Sequence, residues 1–147
     1  MVVANTAQSE VYQKQPKILI IDDDQCIKDI IITYIGCVYP DLVVSHFFSA
    51  KVAIQELSET YQNESVPTIV IIDGQLKGDT MPFCHGHAVV SHLRQQPYSD
   101  QLYLIAHSSD PCCLSDMCQS GADISVQKAE FSQLMSAIRM GLSKFEL

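Results

Sequence analysis

Asp22, Asp23, Asp73, Ser108 and Lys128 are the side chains of this sequence whose types and spacing can do chemistry together. Each stands just past a short apolar run. Ile18-Leu19-Ile20-Ile21 delivers Asp22-Asp23-Asp24, and Ile69-Val70-Ile71-Ile72 delivers Asp73. Leu102-Tyr103-Leu104-Ile105-Ala106 runs into His107-Ser108-Ser109, and Ile124-Ser125-Val126 leads to Lys128. A pair of acids, a lone acid, a hydroxyl and an ammonium are the parts needed to hold a phosphoryl group on a carboxylate. Carboxylates gathered at one point repel one another, and a divalent cation or a shared proton relieves the crowding. The groups are distant along the chain, so only a fold that collects strand ends at one edge can unite them.

The runs that carry them lack polar alternation, which suits strands covered on both faces in a parallel sheet. In open α/β sheets ligands bind beyond the carboxyl ends of the strands, where these groups stand. Lys17 to Asp22 reads as the first strand. Ile27, Ile30, Ile31, Tyr34, Ile35 and Val38 then recur at helical spacing, with Asp24 as N-cap and Tyr39-Pro40-Asp41 as terminator. Leu42 to Phe47 reads as a second strand, and Ser49 caps a helix carrying Val52, Ala53, Leu57 and Tyr61. After Asp73 a long loop is broken by Gly74, Gly78, Pro82 and Gly86. Ala88, Val89, His92 and Leu93 mark a short helix closed by Pro97. Cys112 to Gln119 forms another, stopped by Gly121. Phe131, Leu134, Met135, Ile138 and Leu142 mark a last amphipathic helix of about three turns. Strand alternates with helix throughout, which predicts a doubly wound α/β sandwich.

At 147 residues the chain is of single-domain size. Its formal net charge of -8 argues against nucleic-acid binding by this chain alone. No apolar stretch has the length of a membrane span, and Met1-Val2-Val3-Ala4-Asn5 lacks the basic start of a signal peptide, so a cytoplasmic location without membrane contact is expected. Residues 1–15 are polar and unpatterned, and a loose N-terminal arm is expected there. The six cysteines are read as reduced packing thiols rather than a disulfide framework.

Four pieces together carry a resemblance. They are Ile20-Ile21-Asp22-Asp23-Asp24, Ile71-Ile72-Asp73-Gly74-Gln75-Leu76, Ile105-Ala106-His107-Ser108-Ser109, and Gly121-Ala122-Asp123-Ile124-Ser125-Val126-Gln127-Lys128. In this order and at these separations the sequence resembles the receiver domain of two-component response regulators, the CheY-like superfamily, from Lys17 to Leu142. The resemblance implies a flavodoxin-like fold: a five-stranded parallel sheet of order 2-1-3-4-5 with five helices, and a site at the switch between strands one and three. It implies a receiver domain over residues 16–147, with Asp73 as phosphoryl acceptor. Asp22, Asp23, Asp73 and the Gln75 backbone carbonyl would hold Mg²⁺, or Mn²⁺ in its place. Lys128 would neutralise a phosphoryl oxygen and Ser108 would turn toward the phosphoryl group. Gln75 and Asp110 stand where the family tunes hydrolysis of the acyl phosphate. The implied partners are a histidine kinase or phosphotransfer protein upstream, and an attached output domain, a protein target or a second copy downstream. The module would not be an enzyme beyond accepting and losing its own phosphoryl group.

The chain departs from the family in four places. Ala129 replaces the usual Pro after the conserved Lys, and a cis bond to a non-proline residue costs about 3 kcal/mol, so a trans peptide is expected. Ser125 replaces a switching aromatic. Lys77 replaces a common Pro. The loop after Asp73 is longer than the family norm and contains Cys84-His85-Gly86-His87, with His92 beyond; a mobile lid is expected there, with zinc ligation as the alternative reading. Two other functions stay open. Asp22-x-Asp24 followed by a Ser and a Lys resembles phosphatases and mutases of the haloacid-dehalogenase type, though Gln25-Cys26 brings no Thr and no acidic pair follows Lys128. A pseudo-receiver driven by dimerisation rather than phosphorylation would keep the residues and lack the switch.

Overall fold

The strands form because their residues have nowhere else to go. Every residue of Thr68–Asp73 and of Leu102–Ser108 is buried, so both faces of those segments need cover. The computed structural model describes residues 15–146, and apart from Gln15 the expected N-terminal arm lies outside the described residues. In chain order the elements are β1 (Lys17–Ile21), α1 (Gln25–Val38), β2 (Val44–Phe47), α2 (Ala50–Asn63), β3 (Thr68–Asp73), α3 (Gly86–Arg94), a 3₁₀ turn (Ser99–Gln101), β4 (Leu102–Ser108), α4 (Pro111–Gln119), β5 (Ile124–Gln127) and α5 (Phe131–Lys144). The sheet is parallel with order β2-β1-β3-β4-β5, so the chain has the flavodoxin-like fold expected of it.

Alternation along the strands splits the core in two. Leu19, Ile21, Val70, Ile72, Leu104 and Ala106 pack with Ala53 and Leu57 of α2, Val89 and Leu93 of α3, and Met117 of α4. Ile18, Ile20, Ile69, Ile71 and Ile105 pack with Ile31 and Ile35 of α1 and Leu134 and Ile138 of α5. Gly141 lets α5 lie close, because a Cβ there would stand 2.7 Å from Tyr103 Cδ1. The period of two carries the second face onward to Asp22, Asp73, His107 and Lys128, a row of polar groups at the carboxyl edge.

The caps are as expected at α1, where Asp24 Oδ1 accepts from Cys26 N and Ile27 N at 2.9 and 3.3 Å. Three expectations need correction. In α1 only Ile31 and Ile35 are fully buried, while Ile30, Tyr34 and Val38 are 40 to 55% exposed, as is Val52 on α2 at 52%. One helix offers one stripe to the sheet, and α1 has more apolar residues than that stripe can cover. The cysteines are free but do not pack: Cys26, Cys37, Cys112 and Cys118 are exposed, and Cys84 and Cys113 half-buried. The last helix has 14 residues, about four turns rather than three. Among the described residues no helix is long and apolar enough to cross a membrane.

Candidate functional site

The ends of β1 and β3 are neighbours in the sheet, and this brings Asp22, Asp23 and Asp73 together with carboxylate oxygens within 4.8 Å of one another. Lys128, following β5, reaches back across the edge. Its Nζ lies 3.1 Å from Asp73 Oδ1 and 3.2 Å from Asp22 Oδ2. The Lys128 backbone is fixed by its N–H donating to Ser108 O at 3.0 Å. Asp22 Oδ1 accepts from Asp24 N at 2.8 Å, and Asp23 Oδ2 accepts from Lys77 N at 2.8 Å. Ser108, ending β4, stands across Gly74, where a Cβ would come within 2.8 Å of its Oγ; glycine is what allows the hydroxyl this near. At present that Oγ accepts from Asp110 N at 3.1 Å. The groups line a cleft of about 190 Å³ whose walls include Asp23, Asp73, Gln75, Ser108, Asp110 and Lys128.

Gln75 and Asp110 flank the cleft but are already engaged. Asp110 Oδ1 caps α4 by accepting from Cys112 N at 2.9 Å. Gln75 pairs its backbone with His85 in an isolated antiparallel bridge. Both side chains meet Cys113, whose Sγ lies 3.9 Å from Gln75 Nε2 and 3.6 Å from Asp110 Oδ2. Sequence reasoning missed Cys113 as a neighbour of the cleft, and no local signal marks it, since its place depends on how α4 packs. It also missed His107, for which a signal existed: a polar residue inside an unbroken apolar strand. His107 is the register partner of Asp73 on one side and Val126 on the other, and its buried Nδ1 has no hydrogen-bond partner.

Burial sets the electrostatics. The Asp73 carboxyl is raised from the ordinary 3.8 to about 6, first by burial, then by the Asp22 carboxylate, with Lys128 opposing both. Burial pulls Lys128 down, but the Asp73 and Asp22 carboxylates outweigh it and hold the ammonium above its usual range. His107 is lowered from 6.5 to about 4 by burial and then by the Lys128 charge, so it is neutral at pH 7.

The residues fit a hard divalent cation. Asp22 Oδ2 is buried without a hydrogen-bond partner, with the Lys128 ammonium 3.2 Å away. The gathered donors are all carboxylate oxygens, the set that Mg²⁺ and Mn²⁺ prefer.

At the departures, the Lys128–Ala129 peptide is trans; among the described residues the cis bond is Met81–Pro82. Ala129 takes a left-handed φ of 77°, at a cost of about 1 kcal/mol. Ser125 is exposed on β5 beside Ala106 of β4. The insert after Asp73 is strapped down rather than hanging free as a lid. Leu76 is buried, Leu76 N donates to Cys84 O at 2.9 Å, and Gly86 N donates to Gly74 O at 3.0 Å. The Asp79 carboxylate accepts from Ser49 Oγ, Ala50 N and Lys51 N at 2.8 to 3.2 Å, so the insert itself caps α2. Among the described residues the acidic trio is the one His, Cys, Asp or Glu group close enough to share a metal, and Cys84, His85, His87 and His92 do not converge as a zinc site would require.

No family model matches the chain, and no curated protein matches it. Solved structures do. A response regulator from Chloroflexus aurantiacus J-10-fl superposes with a TM-score of 0.68 at 22% identity, covering 88% of this chain and 99% of that one. The signal receiver domain of a DNA-binding response regulator from Colwellia psychrerythraea 34H gives 0.72 at 18% identity, over 88% and 99% of the two chains. The Mn²⁺-bound form of the response regulator Rcp1 gives 0.65 at 14% identity, over 87% and 90%. At these identities the likeness is one of fold: the structural neighbours are response regulator receiver domains.

Proposed function

We propose that this chain, which has the receiver fold, is the phospho-acceptor of a two-component or phosphorelay system, with residues 16–147 as the receiver domain and Asp73 as the acceptor. The observation that carries the reading is the Lys128 ammonium lying 3.1 and 3.2 Å from Asp73 and Asp22 inside a cluster of three acids at the strand edge. Asp22, Asp23 and Asp73, with the Gln75 carbonyl, are the groups to hold Mg²⁺. Bound there, the ion would offset the repulsion between the acceptor carboxylate and the phosphoryl oxygens.

An Asp73 oxygen attacks phosphorus in line, a new P–O bond forms, and the P–N bond of a phosphohistidine donor breaks. The imidazole keeps the electron pair and takes a proton from solvent. Lys128 exchanges its contact with Asp73 Oδ1 for a phosphoryl oxygen, and Ser108 Oγ, released from Asp110 N, donates to another. Water later cleaves the acyl phosphate, with Gln75 and Asp110 at the cleft wall controlling its approach. The exposed Ile30 and Tyr34 on α1, the helix that begins beside the cleft at Asp24, support docking of a kinase or phosphotransfer protein there.

Incubation with acetyl phosphate and Mg²⁺ followed by intact-mass measurement tests the chemistry, and sizing of the modified protein tests the switch. Labelling is lost in Asp73→Asn. Loss in Asp22→Asn with labelling intact in Asp73→Asn would instead support a haloacid-dehalogenase type phosphotransferase. The second reading, a pseudo-receiver, is favoured by the exposed Ser125 where an aromatic would switch. It predicts that beryllofluoride with Mg²⁺ leaves spectra and assembly unchanged.

A further inference from the structure

The insert between β3 and α3 gathers a second set of donors that the acceptor chemistry does not use. Met81, Cys84, His85 and His87 fall within residues 81–87, a span that contains no acid. The Cys84 thiol points at the Met81 thioether, with Sγ and Sδ 3.2 Å apart. The His85 and His87 rings lie side by side, centroids 5.4 Å apart and planes within 16°. Met81 is 72% exposed, the most exposed large apolar side chain among the described residues. Hydrophobic packing therefore does not explain its position over the thiol.

The backbone beneath these groups is held firmly. Leu76 N donates to Cys84 O, His85 N donates to Pro82 O at 3.2 Å, and Gly86 N donates to Gly74 O. A thiol and a thioether pre-aligned on a tethered loop need little further ordering to chelate, and that lowers the entropic cost of binding. Thiolate and thioether are soft donors, and together they select Cu(I) over Zn²⁺, Mg²⁺ or Ca²⁺, which want a closed tetrahedral N/S set or hard oxygens. The carboxylate cleft carries the opposite, all-oxygen set.

We propose that the Met81 and Cys84 sulfurs form a Cu(I) site separate from the carboxylate cleft. The ion takes the place of the thiol proton between the two sulfurs. The Cys84 S–H bond breaks, its proton goes to solvent, an S–Cu bond forms, and the Met81 sulfur donates a lone pair. Copper enters and stays as Cu(I), so no oxidant or reductant is consumed.

The test is an anaerobic titration of the full chain with Cu(I) against a competing chelator strong enough to suppress binding by isolated thiols. The Met81 ε-methyl resonance is followed in parallel. One tight equivalent and a shifted Met81 methyl signal are expected, both absent in Cys84→Ser. Met81→Leu keeps the thiol and loses the thioether, and it weakens binding by roughly tenfold to a hundredfold, the scale on which a supporting group acts at a metal site. Far-ultraviolet circular dichroism of each variant verifies that it is folded. The proposal is overturned if Met81→Leu binds as tightly as the parent, if the Met81 methyl does not move, or if Cys112→Ser or Cys113→Ser is what removes the tight equivalent. Tetrahedral Co²⁺ spectra with equally tight Zn²⁺ binding would overturn it in favour of zinc. None of these outcomes depends on phosphorylation of Asp73.

Discussion

Asp73→Asn replaces a buried, crowded carboxylate by a neutral group of the same shape, and the structure sets the size of the effect. In the metal-free protein Asp73 titrates at about 6 against an ordinary 3.8, which corresponds to about 3 kcal/mol. Because the folded value lies above the unfolded one, the folded state binds the extra proton between pH 4 and pH 6. Asp73 therefore lowers stability as pH rises through that window. His107 acts in the opposite sense over nearly the same range. Its folded value of about 4 lies below the ordinary 6.5, so the unfolded chain takes the proton first and stability falls as pH drops from 6.5 toward 4, again by about 3 kcal/mol. In the parent protein the two slopes offset each other, and a nearly flat acid limb is expected. Asp73→Asn removes one slope: the variant is more stable than the parent by about 3 kcal/mol at pH 7, equal to it near pH 4, and declines on acidification because His107 alone remains. His107→Leu shows the mirror image, gaining stability as pH falls from 6 to 4. Urea unfolding in chelator from pH 4 to pH 8 measures all three curves. If Asp73→Asn is no more stable at pH 7, or its advantage persists undiminished at pH 4, the crowding argument for this site is wrong.

Four further outcomes follow from the same contacts. Mg²⁺ stabilises the parent protein at pH 7 and raises its unfolding midpoint, while Asp73→Asn responds much less, as paired titrations with and without chelator would show. Lys128→Met leaves Asp22 Oδ2 buried with no partner, costs about 3 kcal/mol in chelator and slows acyl-phosphate labelling; unchanged labelling would remove Lys128 from the chemistry. Gly86→Ala drives a Cβ into the Asp73 carbonyl oxygen and to 2.9 Å from Gly74 Cα, both backbone, so it destabilises by about 1–3 kcal/mol and shifts Asp73, which a lower unfolding midpoint in urea would show. Asp79→Ala removes a carboxylate that accepts from Ser49, Ala50 and Lys51, costs about 1–2 kcal/mol and speeds hydrogen exchange in the first turn of α2; uniform protection there would refute the cap.

The sheet and its polar edge were legible in the amino-acid order because both depend on local patterns. A strand buried on both faces must be apolar throughout, so Ile18 to Ile21 and Ile69 to Ile72 announce themselves, and the acids that end them mark the edge where the layers stop. Caps such as Asp24 are local too, since the side chain serves an N–H two or three residues away. The packing of α1 was not legible: a helix with more apolar residues than one stripe can hold does not say which of them meet the sheet, and Ile30, Tyr34 and Val38 stay about half exposed. Nor was the insert, because its restraints run from Asp79 to Ser49 and from Lys77 to Asp23, between residues that become neighbours only once β1 and β3 pair. The chain order thus determined which groups stand at strand ends. Tertiary packing alone decided that Lys128 bridges Asp22 and Asp73 and that His107 sits neutral beside them, because those distances are set by layers closing on one another and by the desolvation that closure imposes.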